Sequence, residues 1–257
     1  MIPHSYKHDL TQPTRGFEST ADRDADLGPF VITLAPIEDG RQDQSLYVGG
    51  TGGNSHYVTA PPADLLTEAI SLHLKRKGFT VLEDSAAVAA NPLAIVVRGK
   101  LWRFDYSSEG DQILMNIWLN VEFLTAAGRS AGREAVKVDN SYLPATTVNK
   151  LRERMRRQVD FAALQTTLAV VNAQSKLAVA AAERAAKAGQ PLALSHASLG
   201  KYQQAMRGYL DDIETLETQM QASEAAAMQA KKAQQEKIDS LMQMQQSLDA
   251  FRSSLPQ

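Results

Sequence analysis

From Ile113 to Phe123 every second residue is apolar: Ile113, Met115, Ile117, Leu119, Val121 and Phe123 alternate with Gln112, Leu114, Asn116, Trp118, Asn120 and Glu122. A period of two predicts a strand with one face on a core. The segment before it behaves alike. Across Leu93–Tyr106 one face carries Leu93, Ile95, Val97, Gly99 and Leu101, and the other carries Ala94, Val96, Arg98, Lys100, Trp102, Phe104 and Tyr106. Turn residues at 107–111 join the two segments, and Ala126-Ala127-Gly128 turns the chain into a third, more polar strand at Glu134–Asp139, placed at an edge. Upstream, Phe30–Ala35 is a short apolar run closed by Pro36 and reads as a buried strand. Residues 37–58 read as a long loop containing the glycine stretch Gly49–Asn54.

Between Pro61 and Lys77 the period changes. Leu65, Leu66, Ala69, Ile70, His73 and Leu74 recur at helical spacing, Pro61 and Pro62 suit a first turn, and Gly78 suits a left-handed C-terminal cap. Phe79–Leu82 then starts another strand. The expected fold class is α+β: an antiparallel meander sheet with a packed helix.

Beyond Pro144 the pattern is helical throughout. Thr146 or Thr147 can cap a helix that opens with Val148, Leu151 and Met155. Leu164, Leu168, Val171, Ser175, Ala178, Ala182 and Ala185 continue it in steps of four and three, a heptad seam that shrinks to alanine. Gly189-Gln190-Pro191 breaks it. A second seam runs through Tyr202, Met206, Tyr209, Ile213, Leu216 and Met220, fades at Ala225–Ala227 and returns at Ile238. A continuous second helix would reach roughly 75 Å, too long for one globular core to cover. The second region therefore reads as a long helical hairpin or coiled coil that assembles with another chain. The boundaries read from these patterns are a flexible tether over 1–29, an α+β domain over 30–145 and a helical region over 146–257.

Composition supports the division. Residues 1–145 hold both tryptophans and all but three of the 15 glycines, with a net charge of −5; residues 146–257 carry +3. The sum, −2, argues against binding nucleic acid through overall charge. Without cysteine there is no disulfide framework, thiolate zinc site or cysteine nucleophile. No apolar run approaches the roughly 20 residues of a membrane helix.

The residues that invite a chemical reading are few. Gly49–Asn54 lacks the Lys-Ser/Thr of a phosphate loop and reads as a flexible loop. His73 has no His or carboxylate at ligand spacing and reads as a helix-packing residue. No nucleophile motif, paired-histidine site or dinucleotide fingerprint appears, so no reaction, cofactor or metal is expected. What remains is interaction. Trp102, Phe104, Tyr106 and Trp118 form an aromatic set on one hairpin face, either partly shielded by the C-terminal helices or by long basic side chains, or presented to a partner. Arg152, Arg154, Arg156 and Arg157 cluster where the two regions meet, either as a solvated helix face or as a patch for anionic lipid or an acidic partner. Tyr202, Met206, Tyr209, Ile213 and Leu216 offer a helical contact stripe.

Phe30–Pro36, Asp64–Phe79, Leu93–Leu101 and Met115–Phe123, in that order, resemble the YajG-type family of bacterial envelope lipoproteins over about residues 30–172. The resemblance implies a periplasm-facing, outer-membrane-tethered binding module without chemistry, its tether following a lipid-bearing cysteine that this chain does not contain. The helical region lies outside it. The resulting expectation is a non-enzymatic accessory protein of an envelope complex with protein partners, oligomeric through its C-terminal helices. A cytosolic or phage-type coiled-coil adaptor is the alternative, and a small-molecule binding protein is the third reading.

Overall fold

The computed structural model describes residues 4–14, 27, 30–51, 54–83, 91–109, 112–142, 147–189, 198–222, 225 and 232. The chain forms two units, Met1–Leu216 and Glu217–Gln257. In the second, the described residues 217–222, 225 and 232 are helical.

The first unit is built on β7 (Ile95–Glu109), a strand of 15 residues. One side of β7 pairs antiparallel with β8 (Gln112–Thr125), which pairs antiparallel with β9 (Ser130–Tyr142). This is the meander expected from the alternation. The other side of β7 is far longer than any strand available to it, and it receives three in succession. β2 (Val31–Leu34) lies parallel to Ile95–Val97, β3 (Glu38–Asp39) to Lys100–Leu101, and β4 (Tyr47–Thr51) to Tyr106–Ser107. β4 turns back antiparallel into β5 (Asn54–Val58), and β1 (Ser5–His8) adds parallel to β5. β6 (Thr80–Leu82) lies parallel to β2, with helix α1 (Pro62–Arg76) in the chain between them. A helical crossover returns the chain in the same direction, which is why that pairing is parallel. The sheet is therefore mixed, and the purely antiparallel expectation is corrected.

Two loop readings are corrected with it. Residues 37–58 contain β3, β4 and β5, and the glycine stretch lies in a β4–β5 hairpin; Gly52 and Gly53 fall outside the described residues. Gly49 has φ +139°, and a Cβ there would stand 1.6 Å from the Tyr106 carbonyl oxygen. Only glycine lets β4 approach β7 this closely. The tether reading fails at Ser5–His8, which is a sheet strand.

α1 follows its sequence closely. Leu65, Leu66, Ile70, His73 and Leu74 are buried, and Asp64 lies in the first turn. The Phe79 amide donates to the Leu74 carbonyl and the Gly78 amide to the Lys75 carbonyl, with Gly78 at φ 85°. These bonds close a Schellman cap.

Helix α2 (Val148–Lys187) has 40 residues, about 60 Å of helix. The Lys150 amide donates to Thr147 Oγ1 at its start, the cap expected from the sequence. Every residue from Gln158 to Leu164 is buried, so this stretch is enclosed on all sides; α1 and the sheet pack against α2, and a further helix, α3, runs over 198–222. A two-stranded seam would bury only one stripe. Of the residues read as a seam, Leu164, Val171 and Ala178 are buried, while Ala182 is exposed.

The inner face of the sheet meets these helices. Ile32, Ile95, Leu101 and Leu119 are all fully buried there. Gln174 of α2, also fully buried, donates through Nε2 to the carbonyls of Val31 and Leu93, serving backbone groups where β2 and β7 begin.

Candidate functional site

The period-two reading of β7 holds up to Leu101 and then breaks. The β7–β8 register runs Leu101↔Leu119 and then Arg103↔Trp118, so Trp102 is a bulged residue with no partner of its own. One inserted residue reverses the facing of everything after it. Phe104 and Tyr106, expected on the outer face with Trp102, turn inward: they are 6% and 2% exposed, opposite Ile117 and Met115. The aromatic set predicted as one surface is thus divided. Phe104 and Tyr106 belong to the core. Trp102, 49% exposed, and the part-buried Trp118 stay on the outer face.

That outer face is an ordered lattice of charges and rings. Trp118 lies between Arg103, 4.8 Å from its ring centroid, and Lys137, at 5.0 Å, and donates from Nε1 to Asp139 Oδ1 at 2.5 Å. Arg103 also pairs with Asp105, which accepts from Asn116 Nδ2 at 2.7 Å. Lys100 stacks over Trp102 at 4.9 Å and pairs with Glu38 at 2.5 Å. Arg133 of β9 reaches across to Glu122 of β8 at 2.8 Å. A shallow depression of ≈ 580 Å³ lies among Arg98, Lys100, Trp102, Asn120, Glu122 and Arg133. Three of the cations here, Lys100, Arg103 and Arg133, are paired with an acid. The surface is neutral on balance, with one large ring standing clear of it.

The arginine cluster does not form one patch. Arg154 is buried; Arg156 donates twice to the Asp9 carbonyl, at 3.2 and 2.9 Å; Arg157 pairs with Glu153; Arg152 donates to Asn149 Oδ1 at 2.6 Å. Their main work is to hold the N-terminal segment and the helix surface. The helical stripe is divided too. Tyr202, Tyr209 and Leu216 are buried, with Met206 and Ile213 part-buried. Tyr202 stacks on Phe30 at 4.2 Å and donates to the Val171 carbonyl at 2.5 Å, while Tyr209 donates to the His73 carbonyl at 3.0 Å. Burial pushes both phenols above their ordinary range. These tyrosines lock α3 onto α1 and α2 within the first unit.

Two polar clusters escaped the sequence reading. His73 lies 3.1 Å from Asp160 Oδ1 of α2, and the Thr14 amide donates to Asp160 Oδ2 at 2.7 Å. His73 is thus a packing residue, as expected, with a carboxylate supplied 87 positions downstream. The second cluster joins β1 to β5. His8 Nε2 and His56 Nδ1 lie at hydrogen-bond distance, 2.9 Å, with His8 fully buried and His56 4% exposed. Tyr6 stacks on His56 at 5.3 Å, and Tyr106 meets it edge-on at 5.1 Å. Burial, with His56 and Arg152 nearby, pushes His8 down to about 4; burial lowers His56 as well. Two histidines 48 positions apart leave no local spacing to read. Among the described residues, no group of three or more His, Asp or Glu side chains is placed to hold a metal ion.

No protein-family model matches the chain, and no curated protein matches it. Solved structures do. A Xanthomonas campestris protein assigned to the family DUF330 is 12% identical, covering 67% of this chain and 98% of its own, with a TM-score of 0.49. A Caulobacter crescentus protein thought to be a lipoprotein is 15% identical, covering 56% of this chain and 91% of its own, at 0.32. Lipoprotein GNA1162 of Neisseria meningitidis is 9% identical over 49% of this chain and 92% of its own, at 0.30. The YajG-type family is not among these three.

Proposed function

We propose that this chain is a non-enzymatic accessory protein of the bacterial envelope, a binding module that docks a protein partner on the outer face of its sheet around Trp102. One observation carries the reading. The β7 bulge holds a tryptophan 49% exposed in the middle of a sheet face, beside a depression rimmed by satisfied ion pairs. A large rigid ring at the centre and a polar, paired rim is the anatomy of a protein-binding hot spot. The balance of charge favours a partner surface of mixed sign over a polyanion. The envelope address rests on the resemblance of residues 30–172 to the YajG-type lipoproteins.

The test is site-specific photo-crosslinking in the native host. A photoreactive residue replacing Trp102 is expected to yield a discrete protein adduct. The same residue replacing Asp64, exposed on α1, is expected to yield none. Equal adducts at both positions, or no adduct at 102 in a folded protein, contradict the reading.

A further inference from the structure

β9 leaves one end of the sheet open. It pairs with β8 along Ser130–Tyr142, and among the described residues no strand pairs with its other side. Along β9 every second residue's N–H and C=O point away from β8, a template for another strand that a bulge at Ala131 interrupts only near its start. Beneath Gly132–Val136 the sheet also leaves a groove of ≈ 460 Å³, lined by Phe123, Leu168, Leu210 and Ile213. Leu210 is 54% exposed.

We propose that β9 pairs antiparallel with β9 of a second copy, about a two-fold axis normal to the sheet and passing through Val136. The residues of the strand select this register. Directly opposed residues in an antiparallel pair point to the same face, so the axis must fall on a residue. Arg133, Ala135, Lys137 and Asp139 alternate along the exposed side of β9. An axis at Val136 pairs the strand from Gly132, just past a bulge at Ala131, to Asn140 and sets Arg133 opposite Asp139 of the second copy, twice. An axis at Ala135 would oppose Arg133 with Lys137, and an axis at Lys137 would oppose that lysine with itself; like charges directly opposite are repelled. An axis at Val138 pairs Lys137 with Asp139 over residues 134–142 but sets no residue of the strand opposite Arg133. Of the two registers that oppose unlike charges, only the axis at Val136 engages the exposed Arg133.

The side chains have capacity for the new contact. The Arg133 side chain is 78% exposed, and both its bonds, from Nε and Nη2, go to Glu122 Oε1. The guanidinium has five N–H donors in all. Asp139 accepts from Trp118 on Oδ1, leaving Oδ2 to accept from Arg133 of the second copy. A strand laid along this edge would also close the mouth of the groove. Because the axis is normal to the sheet, both outer faces stay on one side, and the pair presents two Trp102 surfaces together. This goes beyond the docking reading and does not depend on it.

The experiment is sedimentation equilibrium on the full chain at neutral pH, with circular dichroism confirming the fold of each variant. The wild type is expected to be a reversible dimer. Arg133→Asp and Asp139→Arg should each raise the dimer Kd at least about tenfold, and the combined swap should return it to within about threefold of wild type, as expected for a directly opposed charge pair that is broken and then restored. A second measurement avoids those side chains. The chain has no cysteine of its own, so Ala135→Cys carries a single nitroxide. In the proposed register residue 135 and its copy are diagonal neighbours, about 8 Å apart at Cα, so the dimer should show strong dipolar broadening. A chain monomeric at every concentration, single swaps without effect in folded protein, or a dimer whose labels do not couple would each overturn the proposal, the last pointing to association through another surface.

Discussion

The sheet's β1 and β9 edges are managed in opposite ways. The β1 edge is four residues long and sealed: His8 and His56 are buried together and flanked by Tyr6 and Tyr106. The β9 edge is 13 residues long, carries charges of both signs and has no strand over it among the described residues. A short strand pinned by its own side chains ends a sheet; a long strand with exposed backbone beyond its bulge continues one. One edge therefore depends on conditions inside the chain, and the other on what it meets.

The largest effect should come from undoing the attachment of the β1–β5–β4 limb. Gly49→Ala drives a Cβ into the Tyr106 carbonyl and should cost about 4 kcal/mol, since neither backbone can yield without breaking the β4–β7 pairing. Urea unfolding measures it, and amide exchange should show β1 and β5 losing protection before β9 does.

Acid should open the same limb more gently. The folded pKa of His8, about 4, lies below its ordinary value of 6.5, so the detached strand takes up a proton before the docked one does. The contribution is complete above 6.5 and falls as pH drops toward 4, by up to about 3 kcal/mol for a shift of this size. Exchange at Ser5–His8 measured between pH 7 and pH 4.5 should accelerate beyond its intrinsic change, while β9, which carries no histidine, should not.

His56→Ala should be smaller, about 2 kcal/mol, through the lost hydrogen bond and ring packing. It should reduce the acid sensitivity only in part, because burial is the larger cause of the His8 shift and the neighbouring His56 the smaller. Smallest is Trp102→Ala, within about 0.5 kcal/mol by thermal unfolding because the ring is half exposed, together with loss of the partner adduct formed at that face.

The contrast between the edges was only half visible in the chain. β8, β9 and α1 were legible because each carries its pattern locally: six apolar residues at period two, and prolines, apolar spacing and Gly78 in order. Trp102 and Trp118 were found on one face, but Phe104 and Tyr106 were misplaced, because alternation assumes an unbroken register and a one-residue bulge leaves no mark in polarity. β1 was missed because Ser-Tyr-Lys-His looks solvated; its burial depends on a histidine that arrives at position 56. The helical stripe was read correctly as a stripe. Its partner, however, is supplied by Phe30, Phe79 and Val171 of the same chain, and spacing cannot tell an internal surface from a second molecule.

Residue-resolved amide exchange on the full chain at neutral pH, at a dilute and a concentrated setting, tests the two-edge account most directly. Ser5–His8 should be protected at both concentrations. The β9 amides that point away from β8 should exchange freely when dilute and slow markedly when concentrated. A β1 that frays first, or a β9 edge whose exchange ignores concentration, would contradict it.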